Sequence, residues 1–249
     1  MIEITTRTLA GGEILHATPA GKQQQALPTI VFYHGFTSSK TVYSYFAVAL
    51  AQAGFRVIMP DAPEHGARFN GDAAGRFRRF WQILHGNLVE YPNLRDALLE
   101  EGLVAQGQLA VGGASMGGMT ALGIMTRHPE VRCVAALMGS GYFSSLARTL
   151  FQSQAVKTAE QEAELARVVA PLAPYEVGHQ LDKLADRPLF LWHGEEDDVV
   201  PAAESFRLQQ ALAEAGLDAR LTFRWEAGVK HRITPQALDA TADFFRAHL

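Results

Sequence analysis

Cysteine is nearly absent from this chain, because Cys133 is the only one among 249 residues. A single thiol excludes an intramolecular disulfide framework and a cysteine-based metal cluster. The residues around it, 131–137, are mostly apolar. We therefore expect Cys133 to be a small buried hydrophobic residue rather than a reactive thiol.

The chain also lacks a strong charge of one sign, a long apolar run and an apolar leader. Its net charge is −4, which provides no basic face for nucleic acid. No segment approaches the roughly 20 apolar residues that cross a bilayer, and residues 1–7 contain no apolar stretch of the kind found in signal peptides. We expect a cytoplasmic protein with no nucleic-acid partner and no membrane span. The sequence leaves the oligomeric state open.

Short β-type runs alternate with helical patterns along most of the chain. This alternation is typical of βαβ units around a mostly parallel sheet with helices on both faces. Gly11 and Gly12 separate the first two runs and predict an N-terminal hairpin. About eight strands are predicted in this way, at residues 2–9, 14–17, 30–33, 56–60, 109–111, 134–138, 189–192 and 222–225.

The helical predictions rest on apolar periodicity and on end signals. Thr234 and Pro235 are a good cap and first residue for the last helix. A helix containing Trp81 and Leu84 should end near Tyr91, because the residue before Pro92 avoids the helical region.

Residues 139–187 interrupt the alternation. This region contains one charged helical stretch, 159–169, and two prolines, Pro171 and Pro174, without a clear strand. An excursion of that length inside a compact domain is usually functional. We expect one domain over residues 1–249, with a small helical cap insertion at 139–187 above the C-terminal ends of the strands. An ordinary peripheral helical insertion is the alternative.

A glycine-serine pattern lies between a predicted strand and a predicted helix. Gly113, Ser115 and Gly117 follow the apolar run 109–111 and precede the helical pattern 119–127. In this context the pattern predicts a nucleophile elbow, a sharp turn that exposes a serine oxygen above the sheet. Both glycines have a steric reason, since the turn leaves little room for a Cβ beside the strained serine.

A serine hydroxyl needs a base, and the base needs a group that fixes its tautomer. The expected chain order is serine, acid, histidine, each on a loop after a strand. Among nine histidines, His231 lies on a loop after a late strand and directly before the well-capped last helix. Asp197 is the predicted acid because it stands four residues before Pro201, the usual register of such a loop. Asp198 is the alternative acid.

Ester hydrolysis creates an oxyanion that needs prearranged N–H donors. We predict two backbone donors, the N–H of Met116 after the serine and the N–H of Phe36 in the loop after strand 30–33. Gly35 would permit the chain reversal there. The alternative for this loop is plain packing on the core. Tyr142 and Phe143, which follow a strand end, are predicted to line the substrate pocket.

Glu64 and His65 follow another strand and could suggest a metal pair. Adjacent residues on a turn rarely converge on one ion, and no third ligand is evident. We therefore expect no metal and no cofactor, and interpret this segment as a loop near the rim of the cleft.

The segments 32–39, 112–118 and 231–235, together with the predicted acid loop, resemble the α/β-hydrolase fold. The resemblance lies within the dienelactone-hydrolase-like and prolyl-oligopeptidase-like serine hydrolases. It implies a serine carboxylesterase that acts on small-molecule esters, with short acyl chains, through an acyl-enzyme. Dienelactone hydrolases carry a cysteine nucleophile where this chain has Ser115, so dienelactone chemistry is not expected.

Two other functions stay open at this point. An acyl thioesterase could use the same three residues, because nothing in the sequence separates an oxygen from a sulfur leaving group. A binding protein that keeps the fold without turnover is the other alternative.

Overall fold

The structure, a computed structural model, describes residues 1–150 and 158–249. In these residues eight strands form one sheet in the order β1-β2-β4-β3-β5-β6-β7-β8. The strands are β1 Ile2–Leu9, β2 Gly12–Pro19, β3 Leu27–Tyr33, β4 Arg56–Pro60, β5 Val104–Ala114, β6 Val134–Leu137, β7 Leu189–Gly194 and β8 Leu221–Glu226. Strands β1 and β2 pair antiparallel, as do β2 and β4, and all other neighbours are parallel. The predicted hairpin and the mostly parallel sheet are confirmed.

Helices cover both faces of the sheet. The described α-helices are α1 Ser44–Gln52, α2 Ala73–Arg78, α3 Phe80–Glu100, α4 Met116–Arg127, α5 Phe143–Leu146, α6 Ala159–Val169, α7 Leu181–Ala185, α8 Ala203–Glu214 and α9 Pro235–His248. Because successive strand residues point to opposite faces, Val31 packs in one core with residues of α3 and α4. Its neighbours Ile30 and Phe32 pack in the other core, with residues of α1 and α9. The α/β-hydrolase arrangement predicted from the sequence is confirmed.

The predicted end of α3 is wrong. The helix continues through Pro92 to Glu100 instead of ending near Tyr91. A proline inside a helix removes one backbone hydrogen bond and usually kinks the helix. Here the apolar stripe continues on both sides of the proline, and Leu88, Leu94 and Leu98 are all buried. Burial of this stripe outweighs the local preference against the helical region before proline.

In its described residues the region between β6 and β7 is helical, as predicted. It contains α5, α6, α7 and the 3-10 helices Ala170–Tyr175 and Val177–His179. Helix α6 packs against α3, whereas α7 and both 3-10 helices pack against α4. Helix α5 packs against α6 and the first 3-10 helix. The part of the predicted cap insertion at residues 151–157 lies outside the described residues.

Two sequence predictions about exposure can be compared with the structure. Cys133 is fully buried, and burial raises the pKa of its thiol to about 12, so this residue packs as a hydrophobic side chain. Among the described residues, no helix has the length and apolar character needed to cross a membrane.

Candidate active site

Ser115 lies at the turn between β5 and α4. Its backbone has φ 58° and ψ −120°, a conformation that costs energy for any residue with a Cβ. The turn is held from both sides, because the Ser115 N–H donates to the Leu137 carbonyl of β6 at 2.9 Å and the Met119 N–H donates to the Ser115 carbonyl at 3.0 Å. The side chain of Ser115 therefore lies at the C-terminal edge of the sheet.

The glycines of the turn are required by close backbone contacts. A Cβ on Gly113 would overlap the backbone of Gly117, and a Cβ on Gly117 would overlap the carbonyl group of Tyr33 at the end of β3. The elbow and the end of β3 therefore pack backbone to backbone. Alanine at Gly117 would push the elbow away from the end of β3, and alanine at Gly113 would push the end of β5 away from the start of α4.

Three side chains meet at this edge of the sheet. His231 Nε2 lies 2.9 Å from Ser115 Oγ, and His231 Nδ1 lies 2.7 Å from Asp197 Oδ2. Ser115 is 8% exposed, so a small part of this residue remains accessible from solvent. Because the carboxylate can only accept, it holds the proton of His231 on Nδ1 and leaves the Nε2 lone pair toward the serine. In this state His231 can take the serine proton.

Asp197 has a complete set of hydrogen-bond donors. Its Oδ1 accepts from the N–H groups of Val199 and Val200, both at 2.9 Å. Its Oδ2 is shared by His231 and by His193 Nε2, the latter at 3.1 Å. Burial opposes ionisation of this carboxyl, but the hydrogen bonds from His193, His231 and Val199 outweigh it and hold the pKa below the usual value. Asp197 is therefore a stable anion with a fixed orientation.

Asp198 lies elsewhere. It is exposed and pairs with Lys230 Nζ at 3.0 Å. The structure thus brings Asp197, not Asp198, against His231. Glu195 and Glu196 are exposed.

Backbone hydrogen bonds connect the acid loop, which carries Asp197, to the histidine loop, which carries His231. The N–H of Glu195 donates to the Glu226 carbonyl, and the N–H of Glu196 donates to the Val229 carbonyl, both at 3.0 Å. Gly194 allows this approach, because a Cβ there would overlap the Val229 carbonyl.

The histidine loop is also fixed to the last helix. Glu226 Oε2 accepts from Thr234 Oγ1 at 2.8 Å and from Trp192 Nε1 at 3.2 Å. Thr234 also caps α9 through the Ala237 N–H at 3.0 Å. His231 therefore lies on a loop with both ends fixed.

The loop after β3 passes directly beside the serine. A Cβ on Gly35 would lie 3.4 Å from Ser115 Cβ and 2.7 Å from the Tyr43 hydroxyl oxygen. This contact brings the predicted donor Phe36 next to the nucleophile turn. Met116 is the first residue of α4, where backbone N–H groups have no acceptor within the helix.

Asp61 and His65 fix this loop by hydrogen bonds to residues after Phe36. His65 Nε2 accepts from the Thr37 N–H at 3.0 Å, and His65 Nδ1 donates to the Pro63 carbonyl at 2.8 Å. Asp61 accepts from the Lys40 N–H at 2.8 Å and also from Lys40 Nζ. Burial lowers the pKa of His65 to about 4, so it stays neutral and keeps its acceptor nitrogen. The segment that sequence patterns suggested as a metal pair thus anchors the loop that contains Phe36.

The structure separates the two predicted pocket residues. Tyr142 is half-buried, and the guanidinium of Arg207 lies 3.5 Å from its ring centroid. Phe143 is fully buried in the core, so its ring has no exposed surface for a substrate to contact.

A cavity of about 470 Å³ lies between the β1–β2 hairpin and α3. Glu13, Arg68 and Glu90 are among its lining residues, whereas Ser115, Asp197 and His231 are not. We therefore place the candidate site by the hydrogen-bonded side chains rather than by this cavity.

Sequence reasoning gave no role to His193 or Asp61, and it considered His65 only as half of a metal pair or as part of a loop at the rim of the cleft. His193 lies near the end of β7, Asp61 directly follows β4, and His65 lies in the loop after β4, all at the same edge of the sheet as Ser115; that placement was the available signal. Their partners could not be predicted, because the contacts are backbone N–H groups and side chains that are distant in sequence.

Comparisons with known proteins identify the family of the chain. Residues 42–249 match the prolyl oligopeptidase family, and the chain belongs to that family. Residues 9–70 also match the family of platelet-activating factor acetylhydrolase, isoform II. Among individual relatives, the chain is 61% identical to Esterase YjfP of Escherichia coli strain K12, over the full length of both chains.

Solved structures support the fold. The crystal structure of TT1662 from Thermus thermophilus superposes with a TM-score of 0.77 at 23% identity, covering 99% of this chain and 98% of that one. A puromycin-hydrolyzing peptidase of Mycobacterium tuberculosis superposes with a TM-score of 0.73 at 20% identity, covering 99% of this chain and 39% of that one. At these identities the likeness concerns the fold alone.

Proposed function

We propose that Ser115 attacks short-chain carboxylic esters and forms an acyl-enzyme that water then hydrolyses. The chain is a carboxylic ester hydrolase, consistent with its family and with its esterase relative from Escherichia coli. The observation that supports the proposal most directly is the hydrogen-bonded row from Asp197 through His231 to Ser115.

The proposed reaction follows the positions of the protons. His231 Nε2 takes the hydroxyl proton while Ser115 Oγ bonds to the carbonyl carbon. The tetrahedral intermediate then expels the alcohol, which receives that proton from His231. In the second half of the reaction a water molecule attacks the acyl carbon and gives a proton to His231. The carboxylic acid then leaves, and Ser115 Oγ takes that proton back. Asp197 stabilises the positive form of His231 in both halves.

The oxyanion needs donors beside the serine, and we assign them to the backbone N–H groups of Phe36 and Met116. Each such donor contributes a factor of about 10² to 10³ in rate where it has been removed in other enzymes. The hydrogen bonds from Thr37 to His65 and from Lys40 to Asp61 support this assignment, since they fix the loop directly after Phe36.

We also propose that the single domain, residues 1–249, carries residues 139–187 as a cap over the site and that Tyr142 lines the pocket. The base of this segment is tied to α8, because Ser140 Oγ donates to Glu204 at 2.6 Å and Ser205 Oγ donates to the Gly139 carbonyl at 3.3 Å. It therefore begins next to the acid loop.

The test is a comparison of Ser115→Ala with wild type on p-nitrophenyl acetate, butyrate and octanoate, and on a thioester of one of these acids. We expect kcat to fall at least about 10⁴-fold, and wild-type kcat/KM to be higher for acetate and butyrate than for octanoate. Ser44→Ala, at the first residue of α1, is the matched control and should retain activity. A Ser115→Ala protein with the wild-type rate contradicts the mechanism, and a preference for octanoate contradicts the short-chain assignment.

A further inference from the structure

Arg76 lies beside the proposed oxyanion loop. Its guanidinium carbon is 5.7 Å from the ring centroid of Phe36 and 4.7 Å from that of Phe69. Among the described residues, no carboxylate lies within 4.0 Å of its nitrogens. The two nearby carboxylates, Glu64 and Asp72, are both paired with Arg79.

The hydrogen-bonding capacity of Arg76 is largely unused. A guanidinium has five N–H donors. Among residues 1–150 and 158–249, Nη1 reaches only the Glu64 carbonyl, at 3.4 Å, and Nε is buried with no hydrogen-bond partner. Arg187 shows the usual solution, because its nitrogens donate to four backbone carbonyls at 2.6 to 3.2 Å. A half-buried arginine with so few protein acceptors has N–H donors left to offer to water or to a ligand.

Arg76 is connected to the reaction site through Phe36, whose ring it contacts. The ring of Phe36 packs edge-on against Phe77 and Phe80, and the backbone of Phe36 follows Gly35, which lies against Ser115. Burial is the main cause of the lowered pKa of His34 and His65, and the charge of Arg76 contributes to both shifts. Phe69 and Phe77 are 42% and 44% exposed, so apolar surface flanks the cation on the solvent side.

We propose that Arg76 binds an anionic group of the substrate, a carboxylate or phosphate, so that the enzyme prefers esters that carry a negative charge near the scissile bond. Charge-assisted contacts from arginine to these groups are strong and often bidentate. The aromatic rings around Arg76 exclude water from one side of the contact and strengthen it. This inference rests on the proposed function, because it assumes that the ester is cleaved at Ser115.

The test uses matched esters that differ in one charge. For an anion on the alcohol side, 4-acetoxybenzoate is compared with its neutral methyl ester. For an anion on the acyl side, the mono-p-nitrophenyl ester of glutaric acid is compared with the same compound as its methyl ester. Wild type should favour the anionic member of at least one pair by tenfold or more in kcat/KM, and the pair that responds identifies which side of the ester faces Arg76.

Variants then assign the preference to this side chain. Arg76→Gln should reduce the ratio of anionic to neutral kcat/KM to near one, and Arg76→Lys should restore part of it. Arg78→Gln removes the same charge from an exposed position on α2 and should keep the wild-type ratio.

The outcomes separate this inference from the proposed function. Wild-type activity without a charge preference in either pair overturns the inference alone. Equal loss of preference in Arg76→Gln and Arg78→Gln also overturns it, because the effect would then be a long-range field. A wild-type protein inactive on all four esters overturns the proposed function, and the inference with it.

Discussion

Replacing Asp197 by asparagine should disable the site without changing its shape. Two backbone N–H groups, of Val199 and Val200, face Oδ1 at 2.9 Å. Because these groups can only donate, the carbonyl oxygen of an asparagine must occupy the Oδ1 position. Its NH₂ group must then face His231 Nδ1, where the carboxylate oxygen lies at 2.7 Å in the wild type.

That orientation reverses the tautomer of His231. Nδ1 has to accept from the amide, so the proton moves to Nε2, which faces Ser115 Oγ at 2.9 Å. A protonated Nε2 cannot take the serine proton. The corresponding change in a serine protease lowers kcat by about 10⁴, which is about 5.4 kcal/mol in the activation barrier. We expect a loss of that order in Asp197→Asn.

The assay is the steady-state kcat for p-nitrophenyl acetate at pH 7.5, together with the melting temperature of each variant. Asp198→Asn is the matched control, because it removes the same charge from the next residue, and Asp198 pairs only with exposed Lys230. Such surface pairs contribute about 0 to 1 kcal/mol to stability, and kcat should stay within about twofold. A loss below tenfold in Asp197→Asn, or an equal loss in both variants, would refute the assignment of the acid.

Two further predictions concern the loops around the serine. Gly117→Ala should cost about 1 to 3 kcal/mol of stability and most of the activity, because the new Cβ would overlap the Tyr33 carbonyl. Gly12→Ala is the control and should be nearly neutral, because a Cβ there has no neighbour closer than 4.0 Å. Chemical denaturation measures the stability of both variants, and equal stabilities would contradict the packing argument. His65 has its pKa lowered from 6.5 to about 4 in the folded protein, so the unfolded chain binds more protons between these values, and stability should fall by about 2 kcal/mol from pH 7 to pH 5. The loss should level off below about pH 4, and the same titration of His65→Gln should show a flatter profile; an identical slope in both proteins would show that His65 does not titrate as described.

The sequence predicted the elements that depend on local pattern. The turn at Ser115, the hairpin of β1 and β2, and the cap of α9 at Thr234 each follow from a few adjacent residues, and all three form as expected. The distance to Pro201 favours Asp197 over Asp198, and the structure places the Asp197 side chain against His231.

The features that could not be predicted depend on contacts between distant segments. The helix α3 passes through Pro92 because residues on both sides of it are buried in the core, and local preference does not include this gain. Phe143 is adjacent to Tyr142 but faces the core, since the turn after β6 sends the two rings in different directions. The partners of His65 and the missing partner of Arg76 depend on the packing of residues 61–79 against the loop at 34–40.

The central claim is that Ser115 is the nucleophile, and covalent labelling tests it most directly. The protein is inactivated with a fluorophosphonate and digested with trypsin, and the modified peptide is identified by mass spectrometry. Cleavage after Arg95 and Arg127 gives a peptide in which Ser115 is the only serine. We predict one phosphonyl group on this peptide, in proportion to lost activity, and none in Ser115→Ala. Complete inactivation with the label on another residue would contradict the account.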